Sequence, residues 1–309
     1  MLINTINIKR LVYGSFAVFV VIYILSAFLS PVDGEALARY NINELQMRLL
    51  LTSILLPVVA IWACTAYGFV HFKQYALSIK GSAPGKGTNT IANGLGVIAL
   101  QMIVSGSFSS VASNDSIKRA LGGEGGVEII STALAIIFAL VSAFLLYLGA
   151  SQLNASLAKP SKPKILTNSF YLLLAVNLAF LAVIVLGYPT NGTTESVYKY
   201  IPLSVAILGI WAPYFIVWTV YLLATKNLHH YRHHVKGKVY KKSLGLLATG
   251  VYFILGSSVL IQLLGAISEV FAEAKLLAIL IIIYPLIVVL GLGYLFIARA
   301  ATKLRGVEV

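Results

Sequence analysis

The stretch EIISTALAIIFALVSAFLLYLGAS, residues 128–151, carries a single charge, at its first position. As a helix rising 1.5 Å per residue it reaches about 36 Å, enough to cross a hydrocarbon core of about 30 Å. A barrel strand needs a far shorter run, and only a helix satisfies every backbone amide within its own segment. Ser131, Ala135, Ala139 and Ala143 recur at every fourth position, a row of small side chains that lets a second helix backbone come close. The stretch predicts a membrane helix with a packing face.

Read outward from it with a window of about 19 residues, the chain shows seven more such runs. The eight predicted spans are 11–30, 49–72, 91–112, 128–151, 167–188, 201–224, 243–268 and 276–299. The fold class is therefore all-α: one polytopic integral membrane domain, 1–309, built as a bundle of eight transmembrane helices. Composition agrees, since 59% of the 309 residues are hydrophobic and 11% are charged, against about a quarter charged in a soluble domain. The first run is longer than a signal-peptide core and lacks a clean cleavage site, so it reads as a retained helix. Span two repeats the small-residue row with Ala60, Cys64 and Gly68, which places spans two and four in the middle of the bundle.

The net charge of +13 is distributed by topology. Arg39, Arg48, Lys118, Arg119, Lys199 and Lys275 lie on one side of the alternating spans, and all other lysines and arginines lie on the opposite side. Every acid except Glu308 shares the side of those six. The positive-inside rule then puts both termini in the cytoplasm of a multi-pass protein. With no folded basic domain, nucleic acid is not an expected partner.

Four weak similarities recur in the same order. SF at 15–16 and 169–170 opens spans one and five, and PVDGE and PTNG follow them. IWA stands at 61–63 and 210–212, and NGLGV and SLGLL begin spans three and seven. They suggest two parallel four-helix halves, 1–158 and 159–309, related by an axis along the membrane normal.

The segment HHYRHHVKGKVYKK, 229–242, holds four of the five histidines and no carboxylate. If span six continues as a helix, His229 faces His233 and His230 faces His234, each an i, i+4 half-site for zinc or copper. The spacing resembles the histidine boxes of membrane desaturases and hydroxylases. Those enzymes hold two irons with several separated boxes, whereas the only other histidine here is His71. The expectation is therefore no metal and no cofactor. The segment reads instead as a cytoplasmic tether in which Arg232, Lys236, Lys238, Lys241 and Lys242 contact anionic headgroups, at about 1 kcal/mol each.

Other chemistries lack their parts. KGSAPGKGTNT, 80–90, breaks the phosphate-loop spacing and follows no strand, so it reads as a flexible loop. LGGEGGVE, with four glycines, reads the same way. No mid-span acid supports proton exchange and no mid-span lysine supports a retinal Schiff base. An enzyme is not expected, because the side with histidines lacks acids and the side with acids lacks histidines.

What remains is neutral polarity inside the spans: Gln101, Asn177, Tyr214, Tyr252, Ser257, Ser258 and Gln262. Amides in hydrocarbon face protein or water. These residues mark the expected binding site of a small uncharged or anionic solute passing through an uncoupled transporter or channel-like bundle. The competing expectation is a non-catalytic structural or scaffold subunit of a membrane complex, where the same residues join helices to one another and a partner subunit, or a second copy in a homo-oligomer, covers the bundle.

Overall fold

The computed structural model describes residues 43–112, 115–157, 203–235, 237–268 and 276–305, with helical positions between 10 and 21; the side chains of 47, 50–56, 58, 106, 109–111, 115, 124–125, 128–129, 203–212, 261–268, 276–284 and 305 are outside that description. These residues are almost all helical, with no strand among them. Six helices are long: α1 (Glu44–Ser78), α2 (Ala83–Ala112), α4 (Gly123–Ala155), α5 (Leu203–His234), α6 (Lys238–Ser268) and α7 (Leu276–Arg305). The short α3 (Asp115–Ala120) packs on α2 and α4.

Four of these helices carry segments long and apolar enough to cross a membrane: Ala83–Ser105, Ile130–Ala155, Lys238–Leu260 and Pro285–Leu304. They coincide with predicted spans three, four, seven and eight. Spans two and six fall on α1 and α5, and span five lies outside the described residues.

Local sequence explains the helix ends. Asn43 and Gln46 close a capping box on α1, with the Gln46 amide donating to Asn43 Oδ1 at 2.8 Å and the Asn43 amide to Gln46 Oε1 at 2.9 Å. Segment 80–90 is not a loop beyond its first residues. Gly81 turns the chain at a positive φ of 93°, Ser82 Oγ accepts from the Gly85 amide, and Pro84 sits in the first turn of α2. LGGEGGVE is likewise only partly a connection: Gly122 and Gly123 turn left-handed, and α4 begins at Gly123. The 229–242 tether is shorter still, because α5 runs to His234 and α6 starts at Lys238.

The long helices pack in the order α1, α2, α4, α5, α6, α7 and back to α1, a closed ring in which each helix leans on two neighbours. Spans two and four thus occupy separate places in the ring rather than a shared middle. Their small residues serve different seams: a β-carbon at Gly68 would meet Ile297 of α7 at 2.9 Å, and Ala143 is fully buried. The closest seams are backbone on backbone. A β-carbon at Gly149 would lie 2.7 Å from the Gly87 carbonyl oxygen, and one at Gly250 would lie 2.7 Å from that of Gly293. Without side chains there, α2 meets α4 and α6 meets α7 at van der Waals distance.

Candidate functional site

The polar side chains inside the ring gather at two depths. At the first, α5 presents Tyr221, fully enclosed, with its hydroxyl 3.2 Å from Ser142 Oγ of α4. Ser142 uses its own proton on the Ala139 carbonyl, so Tyr221 is the donor. Tyr294 of α7 is buried within electrostatic reach of Tyr221, although α5 and α7 are not neighbours in the ring. Thr65 of α1 is also buried and bonds back to the Ile61 carbonyl.

Two tryptophans tie the ring beside this layer. Trp62 donates from Nε1 to the Ala99 carbonyl of α2 at 3.0 Å, and Trp218 donates to Ser258 Oγ of α6 at 3.2 Å. Each stands five residues beyond a proline inside its helix, Pro57 in α1 and Pro213 in α5.

The second depth is the end of the bundle where the described basic residues concentrate, including Lys73, Lys80, Lys86, Lys226 and Lys303; the described acids, Glu44, Asp115, Glu124 and Glu128, all lie at the opposite end. Tyr240, in the first turn of α6, reaches across to α2 and donates to Thr88 Oγ1 at 3.0 Å, since Thr88 spends its proton on the Pro84 carbonyl. Tyr75 of α1 stacks on the Tyr240 ring with centroids 5.3 Å apart, and Tyr231 of α5 meets it edge-on at 6.2 Å. One phenol therefore joins four helices at this end. Around it, Asn227 donates to Ser151 Oγ at 2.9 Å, Thr90 to Gln152 Oε1 at 2.9 Å, and Lys73 to Asn93 Oδ1 at 2.8 Å.

Of the residues expected from sequence, Tyr214 and Ser258 are linked through Trp218, whose ring lies 6.4 Å from that of Tyr214 and whose Nε1 donates to Ser258 Oγ. Ser257 is fully buried but bonds back to the Phe253 carbonyl at 2.6 Å. Gln101 is half-buried on α2, whereas Tyr252 is 48% exposed and turned away from the ring interior. Asn177, Lys236 and the side chain of Gln262 lie outside the described residues. Sequence reasoning passed over Tyr221, Tyr294, Tyr240 and Thr88 because a tyrosine or threonine in an apolar run carries no motif. It also set aside His71, which is buried in α1 against the Tyr67 ring, with centroids 4.2 Å apart. The available signal was Tyr221, Thr225 and Tyr231 at helical spacing on one face.

The histidines pair as the helical spacing requires. His229 Nε2 and His233 Nε2 lie 3.0 Å apart, and the His230 and His234 rings are 4.5 Å apart. Among the described residues no three His, Cys, Asp or Glu side chains converge. Desolvation, then the facing His229, then Lys241, Arg232 and His234 hold the His233 pKa below the ordinary histidine value. The same cations oppose a divalent metal there.

Comparison of the chain with protein-family models, with curated proteins and with solved structures found no match.

Proposed function

We propose that the ring is an uncoupled passage or binding chamber for a small uncharged or anionic solute, in a multi-pass membrane protein whose basic end faces the cytoplasm. The observation that carries this reading is the hydroxyl contact that crosses the ring interior, Tyr240 of α6 to Thr88 of α2, with a second buried contact, Tyr221 to Ser142, on the seam between the neighbouring α5 and α4. Neutral donors on the axis suit polar solutes that carry no positive charge, and a basic end free of described carboxylates favours an anion near the exit. The Tyr240–Thr88 contact acts as a closure, and the basic flank of α5 and α6 rests against anionic headgroups.

The bundle reads further as two parallel halves. Pro57, Trp62 and Tyr75 of α1 and Pro213, Trp218 and Tyr231 of α5 are separated by one common interval, which also pairs Gly94 with Gly250 and Ile98 with Ile254. Ser142, Leu146 and Leu153 of α4 pair with Gly293, Ile297 and Leu304 of α7 at a second common interval, shorter than the first, and all six are buried. The ring order supports this pairing: α1 on α2, α2 on α4 and α4 on α5 correspond to α5 on α6, α6 on α7 and α7 on α1. In this register Trp62 matches Trp218 rather than Trp211 of the second IWA. A parallel repeat puts the route on the axis between the halves.

The test is flux through liposomes holding the purified chain, with glycerol, urea, nitrate and chloride as probes. Passage above protein-free liposomes that Tyr221→Leu alters while the chain stays folded supports the reading. No flux for any probe, together with a stoichiometric protein partner in gently solubilised membranes, supports the scaffold instead.

A further inference from the structure

The junction of α5 and α6 holds a charged group that the passage does not use. Arg232, in the last turn of α5, has its Nε buried with no hydrogen-bond partner among the described residues. Its guanidinium lies against the backbone of Gly245, where a β-carbon would stand 2.8 Å from Cζ, 2.9 Å from Nη1 and 3.0 Å from Nε. Only glycine leaves room for the guanidinium in this position. Lys241 sits one turn before Gly245 on α6, half-buried, and both cations act electrostatically on His233. Two positive charges thus belong to this junction, Arg232 against Gly245 and Lys241 one turn before it, while the described acids sit at the far end of the bundle. A guanidinium held in a cradle without a carboxylate is a costly arrangement unless an anion completes it.

We propose that Arg232, Lys241 and the Gly245 cradle form a seat for one phosphate-type oxyanion, carried by a lipid headgroup or free in solution. The planar fork of Arg232 supplies paired N–H donors, and Lys241 supplies a point charge from the next helix. The pairing draws the last turn of α5 and the first turns of α6 together. This deepens the headgroup reading of the basic end and does not depend on passage: a bundle that conducts nothing can still hold the anion, and loss of the anion leaves the flux assay to judge passage by itself.

The experiment measures binding to the full-length protein in a neutral detergent and in nanodiscs of phosphatidylcholine. The probes are inorganic phosphate and phosphatidic acid, read by calorimetry and by native mass spectrometry. One-to-one binding is expected, with affinity lowered about tenfold or more by Arg232→Lys, which keeps charge but loses the fork, and by Gly245→Ala, which displaces it. Lys303→Gln, at an exposed lysine of α7 outside the seat, leaves affinity within about twofold. Circular dichroism and gel filtration establish that each variant is folded, and occupancy also raises the His233 pKa by adding negative charge beside Lys241. Binding of phosphate identifies a soluble anion as a ligand, and binding of phosphatidic acid alone identifies a headgroup. Absence of stoichiometric binding to either probe overturns the seat. Equal losses in Arg232→Lys, Gly245→Ala and Lys303→Gln also overturn it, because that pattern belongs to a diffuse basic surface.

Discussion

Gly250 and Gly293 meet backbone to backbone: a β-carbon on the first would stand 2.7 Å from the second's carbonyl oxygen, and one on the second 3.0 Å from the first's. Neither neighbour is a flexible side chain, so the seam between α6 and α7 cannot widen locally.

Gly250→Ala should therefore destabilise the bundle although alanine favours a helix by about 1 kcal/mol. Overpacking of about 1–3 kcal/mol outweighs that gain. Gly256→Ala, on the same helix with nothing within 4 Å of the added carbon, should be neutral or stabilising. Thermal unfolding in one detergent compares the two, and equal shifts would refute the seam.

The Tyr221–Ser142 hydrogen bond should contribute about 0.6 kcal/mol, the usual scale between membrane helices. A double-mutant cycle of Tyr221→Phe and Ser142→Ala measures it. Strict additivity would mean that the two hydroxyls do not interact.

Tyr240→Ala removes the phenol that joins α1, α2 and α5 to α6, together with its bond to Thr88. If the basic end is a closure, liposome flux rises, while Tyr240→Phe, which keeps the ring stack, rises less. Unchanged flux in both variants, where wild type conducts, removes Tyr240 from the route.

His233 should titrate below the ordinary histidine value, and Lys241→Gln should raise it, since desolvation, His229, Lys241, Arg232 and His234 all disfavour its charged form. The linkage has a definite sign. Unfolding takes up a proton between the folded and unfolded values, so this contribution is present above the ordinary value and lost as pH falls through the folded one. Ring proton shifts against pH check the titration, and a value at or above the ordinary one would contradict it.

Sequence by itself determined the long apolar helices among the described residues and the separation of their cations and acids by end, because both follow from local composition: a long run without charges satisfies its own backbone as a helix. It also determined the face shared by His229 and His233, which is helical periodicity alone. It misjudged the connections, since 83–90 and 123–127 look loop-like until Ser82, Pro84 and the left-handed Gly122 are seen setting helix starts. Only the tertiary structure decided which polar residues meet. Tyr240 and Thr88 are far apart in the chain, and Tyr252 looks as eligible as Tyr221 in a helical run, yet one faces outward and the other is enclosed. The reason is physical: in an almost wholly apolar helix no hydrophobic contrast tells the inside from the outside. Close approach at Gly87, Gly149, Gly250 and Gly293 sets each helix's rotation, and with it the hydroxyls that line the ring.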